Sequence, residues 1–375
     1  MAPSALDVRT WTPPPATQEK LDYAELAQVD LSKWPAKKDE LLLDMRRAVN
    51  EVGFWFVVGH GITDEEIGRQ MSLGNAFLDL PLEEKRLFPC DFKQGNFFGF
   101  REGVRLMGKS QVKDNAEALN LPKITPSLAH ELPGYDFIAA HQVEIEAFQR
   151  KIHSNVLAPL LSLFALLLEL PESYFLTPHE WDRRTEDHLR YMKYRPNSPE
   201  DDRAIGNIHL NGHTDFGLVT ILFPQIVQGL QILTPEGEWK YAPYLPNGLL
   251  INTADVLSVC SAGYFKSTIH RVLRPPDDQV NYERMGVFYF SRAAHDLELK
   301  VAPSPLLKRL GLYKEADPNA PVVSGLEFTR ARVKHSWDRP VYGDDEYKKG
   351  FKVGGLEVRT DYDFDSKAEL KRVVA

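Results

Sequence analysis

The stretch Gly212-His213-Thr214-Asp215-Phe216-Gly217-Leu218-Val219-Thr220-Ile221-Leu222-Phe223 decides how the rest of the chain is read. Its second half is apolar and β-branched, its first half is polar and carries a His-x-Asp pair, and together they predict a strand-like run over 213–223. Runs of the same kind lie on either side, at 188–194, 229–233, 248–252 and 285–291, rich in Val, Ile, Leu and Phe and separated by Pro, Gly, Asn and Asp. Short strands at this spacing predict a sandwich, barrel or jelly roll rather than alternating β-α-β units.

The chain before residue 188 reads differently. Leu41, Leu42, Leu43, Met45, Ala48 and Val49 recur at helical spacing, predicting a helix over 37–52 that stops at Gly53. Phe54-Trp55-Phe56-Val57-Val58 follows as a buried strand closed by Gly59-His60-Gly61. A second helix is predicted over 64–80, with Thr63 as its cap and Pro81 as its stop. Residues 142–170 form a long apolar helical region, bent near Pro159 and ended by Pro171. Residues 90–132 show no period and read as irregular. Helical patches near 306–312 and 328–335 precede a polar tail. The predicted organisation is an extended Pro-rich arm (1–24), a mixed helical region packing on the core (25–180), a β core (181–300) and a C-terminal helical extension with tail (301–375).

The 375 residues are 43% hydrophobic and 26% charged, ordinary globular usage. The formal net charge of −8 argues against a general electrostatic grip on nucleic acid or anionic lipid. Two cysteines, Cys90 and Cys260, cannot build a disulfide framework or a thiolate zinc site. The start has no secretory pattern, and the most apolar run, 156–168, is shorter than the roughly 20 residues a bilayer span needs. A cytoplasmic protein is expected, monomeric or weakly dimeric, with a small-molecule substrate and no nucleic-acid or membrane partner.

Residues two apart on a strand or its extension point to one side, so His213 and Asp215 present an imidazole and a carboxylate together. Among eleven histidines only His213 is followed two residues later by an acid. A further imidazole from a facing strand, His270, would complete two His and one carboxylate, the set that leaves coordination positions open on non-haem iron. By itself, His-x-Asp arises easily by chance, and an isolated histidine is more often a structural residue. Arg284 opens the apolar run Met285-Gly286-Val287-Phe288-Tyr289-Phe290 and needs a carboxylate partner once buried, either one of the chain's own acids or a dicarboxylic ligand.

Taken together, these segments resemble the 2-oxoglutarate and Fe(II)-dependent dioxygenases of the isopenicillin N synthase-like group, over roughly residues 25–335. The resemblance rests on three motifs in order: Arg47-Ala48-Val49-Asn50-Glu51-Val52-Gly53-Phe54-Trp55-Phe56-Val57-Val58-Gly59-His60-Gly61-Ile62; His213 through Phe223 with Gly229-Leu230-Gln231-Ile232; and Lys266-Ser267-Thr268-Ile269-His270-Arg271-Val272. It implies a mainly β fold with flanking helices, a distorted double-stranded β-helix (jelly roll, cupin-like) core, and Fe(II) held by His213, Asp215 and His270. It further implies 2-oxoglutarate with its distal carboxylate on Arg284 and a hydrogen bond from Tyr194, and O2 as the oxidant. Succinate and CO2 would be released, with ascorbate serving to keep the iron reduced. Hydroxylation, desaturation or ring closure of a small-molecule metabolite, in a specialised pathway, would be the outcome.

Two positions depart from the family pattern. Arg284-Met285-Gly286 stands where Arg-x-Ser is usual, removing a hydroxyl whose hydrogen bond is worth about 1 kcal/mol. Met192 replaces the Asn usually found two residues before the tyrosine. A same-fold oxidase that does not use 2-oxoglutarate is therefore the alternative, with a zinc hydrolase or a non-catalytic cupin-like binding protein more remote. Candidate substrate contacts are Phe98, Phe100, Glu117, Asn120, Tyr191, Phe216 and Phe290, a mostly apolar set with a few polar groups.

Overall fold

A computed structural model describes residues 8–315, 321–338, 341–342, 351–354 and 356–358. Residues 1–7 of the predicted arm and most of the predicted tail lie outside the described residues.

Two sheets face each other across a cavity. The larger has eight strands in the order Gln28–Asp30, Phe54–Val58, Leu249–Thr253, Val219–Leu222, Arg284–Ser291, His188–Tyr194, Ala116–Pro122 and Gly99–Arg101. The smaller has four, ordered Trp239–Tyr241, Leu230–Leu233, His270–Leu273 and Ile208–His213. All neighbours are antiparallel except Gln28–Asp30 against Phe54–Val58. This is the jelly roll the strand spacing predicts, closed by residues far apart in sequence.

Period-two alternation gives the large sheet two different faces. One face carries Trp55, Tyr191, Ile221, Ile251, Val287 and Tyr289 into the main core, where the helices Lys38–Glu51, Asp64–Leu78, Asp136–Ile152 and Ala158–Leu167 pack on it. The other face carries Phe54, Phe56, Leu222 and Leu250 toward Ile232 of the small sheet, and Ala116, Ala118, Met192 and Tyr194 toward Val272. The helices form for reasons visible locally. Lys38–Glu51 buries Leu41, Met45, Ala48 and Val49 along one stripe. Asp64–Leu78 begins in a capping box, the Thr63 hydroxyl accepting from Glu66 N–H while the Glu66 carboxylate accepts from Thr63 N–H.

Three readings change. The segment 90–132 contains the strand Ala116–Pro122, which pairs along seven positions with His188–Tyr194. Ala-Glu-Ala-Leu-Asn-Leu-Pro has little β propensity, and the ladder of a neighbour that does have it decides the conformation. One sheet therefore runs through the expected division at 180/181. The run 213–223 breaks into strands ending at His213 and beginning at Val219, with Asp215 in the turn between. The turn is clamped by backbone hydrogen bonds: Asp255 N–H donates to Asp215 O, Val256 N–H to Gly217 O, and Leu218 N–H to Ser291 O. A Cβ at Gly217 would stand 2.1 Å from Ser291 O, so only glycine lets the turn lie this close to the sheet. The third change is in the long helical region, which begins at Asp136 and contains a wide turn over His153–Leu157 just before Pro159. Among the described residues no helix is long and apolar enough to cross a membrane.

Candidate active site

His213 ends one strand of the small sheet and His270 begins its neighbour, and the two are paired in register. Their ring centroids are 4.3 Å apart. Asp215, two residues past the strand end, completes a cluster whose ligand atoms all lie within 4.8 Å of one another. Each ring is turned by its own backbone: His213 Nδ1 donates to Asn211 O at 2.9 Å and His270 Nδ1 to Thr268 O at 3.1 Å. A carbonyl accepts only, so Nδ1 carries the proton and Nε2 keeps its lone pair for a cation. Phe54 packs edge-on against His270 at 5.3 Å. Asp215 is fixed by Thr220 Oγ1 at 2.6 Å and Asn252 Nδ2 at 3.0 Å, both donating to Oδ2.

The electrostatics suit a metal ligand set. Burial pushes the Asp215 carboxyl up, but His270, His213 and the two hydrogen bonds together hold it below its ordinary value. Burial and the neighbouring His270 lower His213 to about 4, so it is neutral at pH 7. A neutral imidazole at His213 beside an ionised Asp215 carboxylate offers donors in the states that bind Fe(II).

Arg284 lies on the opposite wall of the same cavity, buried, paired in register with Tyr194, its Cζ 5.4 Å from the Tyr194 ring. Its Nε donates to Val227 O at 3.2 Å and Nη2 to Gln225 Oε1. Among the described residues no carboxylate lies within ion-pair distance of it, and burial lowers its pKa. A buried cation in this state calls for an anion. The two departures from the family pattern stand opposite each other, since Gly286 pairs with Met192. The space that a serine side chain would take at Gly286 is filled: a Cβ there would stand 2.1 Å from Gln225 Nε2. Gln225 thus supplies a polar partner to Arg284 where a serine is absent.

The expected substrate contacts divide. Phe216 and Phe290 line the cavity. The other five do not. Tyr191 is three residues from Tyr194 and so faces the other side of the sheet, where its hydroxyl donates to Gln70 at 2.6 Å. Glu117 also points away and pairs with Lys85 at 3.0 Å and Arg195 at 3.2 Å. Phe100 packs on Phe77 at 6.5 Å, and Phe98 lies edge-on to His188 at 6.2 Å. Asn120 supports the wall, its Oδ1 accepting from Arg190 Nε at 2.6 Å. Sequence reasoning missed Thr220, Asn252, Gln225, Phe97, Arg190 and Arg292. Two signals were present: polar residues interrupting the apolar runs at 219–222 and 249–253, and even spacing from Tyr194 back to Arg190 and from Arg284 forward to Phe288, Phe290 and Arg292.

Residues 186–293 match the 2OG-Fe(II) oxygenase superfamily, and residues 26–136 match the N-terminal region described as non-haem dioxygenase in morphine synthesis. A flavonol synthase/flavanone 3-hydroxylase of Eustoma exaltatum subsp. russellianum is 30% identical over 254 residues, covering 66% of this chain and 71% of that protein. The 2-oxoglutarate-Fe(II) type oxidoreductase hxnY of Emericella nidulans is 26% identical over 336 residues, 84% of this chain and 88% of its own. In fold, the crystal structure of a full-length Neurospora crassa protein in complex with alpha-KG and thymine superposes with a TM-score of 0.69 at 19% identity, covering 85% of this chain and 100% of that one. The fold and relatives define a non-haem iron oxygenase. The chain belongs to the 2OG-Fe(II) oxygenase superfamily, and it is an Fe(II)- and 2-oxoglutarate-dependent oxidoreductase.

Proposed function

We propose that this enzyme oxidises a small-molecule metabolite, with His213, Asp215 and His270 as the iron ligands, Arg284 as the anchor of 2-oxoglutarate and Tyr194 as a hydrogen-bond donor to it. The observation that carries the reading is the joint occupancy of one cavity by the three converging donors and a buried arginine that lacks a carboxylate partner among the described residues. When bound, Fe(II) with 2-oxoglutarate and O2 supplies the oxidising power, the co-substrate leaving as succinate and CO2.

The protein's contribution is orientation and exclusion. The carbonyls of Asn211 and Thr268 aim the imidazoles, and Thr220 with Asn252 hold the carboxylate to one rotamer. Arg284 fixes the far end of the co-substrate, which leaves its keto-acid end toward the donors. Phe54, Leu222, Leu230, Val272 and Phe288 line the space between with hydrocarbon, keeping water from the reacting centre. Phe216 and Phe290 flank the remaining volume, where the substrate would lie. Relatives named for flavanone and leucoanthocyanidin oxidation, and a neighbour holding thymine, are in keeping with a substrate of this size.

The test is anaerobic addition of Fe(II) and then 2-oxoglutarate to the purified protein, following the weak visible charge-transfer band of a chelated keto acid. The expected result is a band in wild type that needs at least tenfold more 2-oxoglutarate in Arg284→Ala, from loss of a charge-assisted pair. Iron binding with no band would overturn the co-substrate assignment, and a band indifferent to Arg284 would overturn the anchor.

A further inference from the structure

Six arginines line this one cavity, against two aspartates. One aspartate, Asp215, belongs to the metal cluster; the other, Asp114, is engaged by Arg101, with Arg105 at 4.0 Å. Arg332 has its own acid, Asp255, at 3.0 Å. Arg284 is assigned to the co-substrate. Arg190 and Arg292 remain, and among the described residues neither has a carboxylate within ion-pair distance.

Arg292 is 2% exposed, and its Nη1 has no hydrogen-bond partner among the described residues. The acids that act on it electrostatically are Asp215, on the metal side, and Asp187, which is engaged by the Arg292 backbone N–H and the Tyr289 hydroxyl. Its guanidinium lies 3.8 Å from the Phe216 ring centroid and 5.0 Å from that of Phe290. The Arg190 guanidinium lies 4.4 Å from the Phe290 centroid and 4.7 Å from that of Phe97. The two cations thus share Phe290 in an aromatic wall that continues through Phe97 to Trp337 at 5.2 Å. Ring faces stabilise a guanidinium, but by less than desolvating an unpaired cation costs. A pair of guanidiniums held against rings, facing a cavity and short of acceptors, is a site built for an oxyanion on a flat or apolar body.

We propose that the substrate carries a carboxylate, taken by Arg190 and Arg292 in this wall, while its apolar body lies between Phe216 and Phe290. This rests on the oxygenase reading for the placement of the reacting carbon near the metal, but the anion site itself is defined by the wall alone. Asn120 is then a positioning residue, holding Arg190 through Nε.

The test uses the full chain without metal, so that it reads the wall and not turnover. Phenylacetate, cinnamate, 1-naphthoate and octanoate are each compared with their primary amides by calorimetry and thermal shift. The acids are expected to bind at least tenfold more tightly than the amides, the range for a charge-assisted hydrogen-bonded pair. Arg292→Met and Arg190→Met should each remove about tenfold of that preference, and Arg284→Met should preserve it. The wild-type comparison needs no variant to fold, and far-UV circular dichroism checks those that are made. Equal affinity for acids and amides, a preference lost in Arg284→Met instead of Arg292→Met, or tighter binding of phenyl phosphate than phenylacetate would overturn the proposal. Failure of the oxygenase reading would appear separately, as absence of the keto-acid band with the acid preference intact.

Discussion

Restoring the family's serine should harm this enzyme. A Cβ at Gly286 would meet Gln225 Nε2 at 2.1 Å and Phe288 Cε2 at 2.8 Å, so Gly286→Ser requires Gln225 to swing away. That swing gives up the Gln225 Oε1 hydrogen bond to Arg284 Nη2 and the 3.4 Å contact from Nε2 to Met285 O. A hydrogen bond to a charged group is worth about 1.5–3 kcal/mol, an upper bound of roughly ten- to a hundredfold in 2-oxoglutarate affinity if Arg284 then loses its aim. Gln225→Ala removes the same bond and should weaken the co-substrate by a similar factor. In the Gln225→Ala background the serine meets no amide and its hydroxyl can serve Arg284. The double variant should therefore bind no worse than Gln225→Ala, a coupling about as large as either single effect. The assay is titration of 2-oxoglutarate into the anaerobic Fe(II) protein, with thermal unfolding run alongside. Strictly additive losses, or tighter binding by Gly286→Ser alone, would refute the reasoning that Gln225 substitutes for the serine.

Other consequences are open to measurement. Asn252→Ala and Thr220→Val each remove one hydrogen bond from Asp215, and competition with a chelator should show metal affinity falling about 10- to 100-fold, whereas a change within twofold would show that the carboxylate needs no support. Tyr191→Phe should cost about 1 kcal/mol in urea unfolding through loss of the Gln70 bond and leave 2-oxoglutarate affinity alone, while Tyr194→Phe should do the opposite. His153 and His179 are held below the usual histidine range, chiefly by burial. His179 is fixed as a neutral ring, accepting from Ala294 N–H and donating to Phe175 O. A depressed folded-state pKa means the unfolded chain takes protons first, so stability is kept above about pH 6.5 and lost as pH falls from there. Melting temperature should drop between about pH 7 and pH 5, and a flat profile would contradict this.

Much of the helical half was legible because its signals are local. Thr63 and Glu66 lie three residues apart and form their capping box with no help from the rest of the chain. Ala116–Pro122 was illegible for the opposite reason: its conformation is set by a ladder to residues 188–194, far along the chain. The substrate contacts suffered from a different ambiguity. Tyr191 and Tyr194 look alike in sequence, but an odd offset on a strand separates them by the thickness of the sheet. The same parity applied from Tyr194 and Arg284 would have pointed to Arg190 and Arg292.

The sequence by itself determined the alternation of elements, the His-x-Asp pair with a distant histidine, and the arginine opening the last long strand of the large sheet, because periodicity and residue chemistry are properties of short segments. Tertiary structure alone decided which face each residue took, that Thr220 and Asn252 hold Asp215, that Gln225 occupies the place of a missing serine, and that Arg190 and Arg292 share one aromatic wall. Those relations depend on strand register and side-chain volume across hydrogen-bonded neighbours, and no local pattern encodes which distant strand becomes the neighbour.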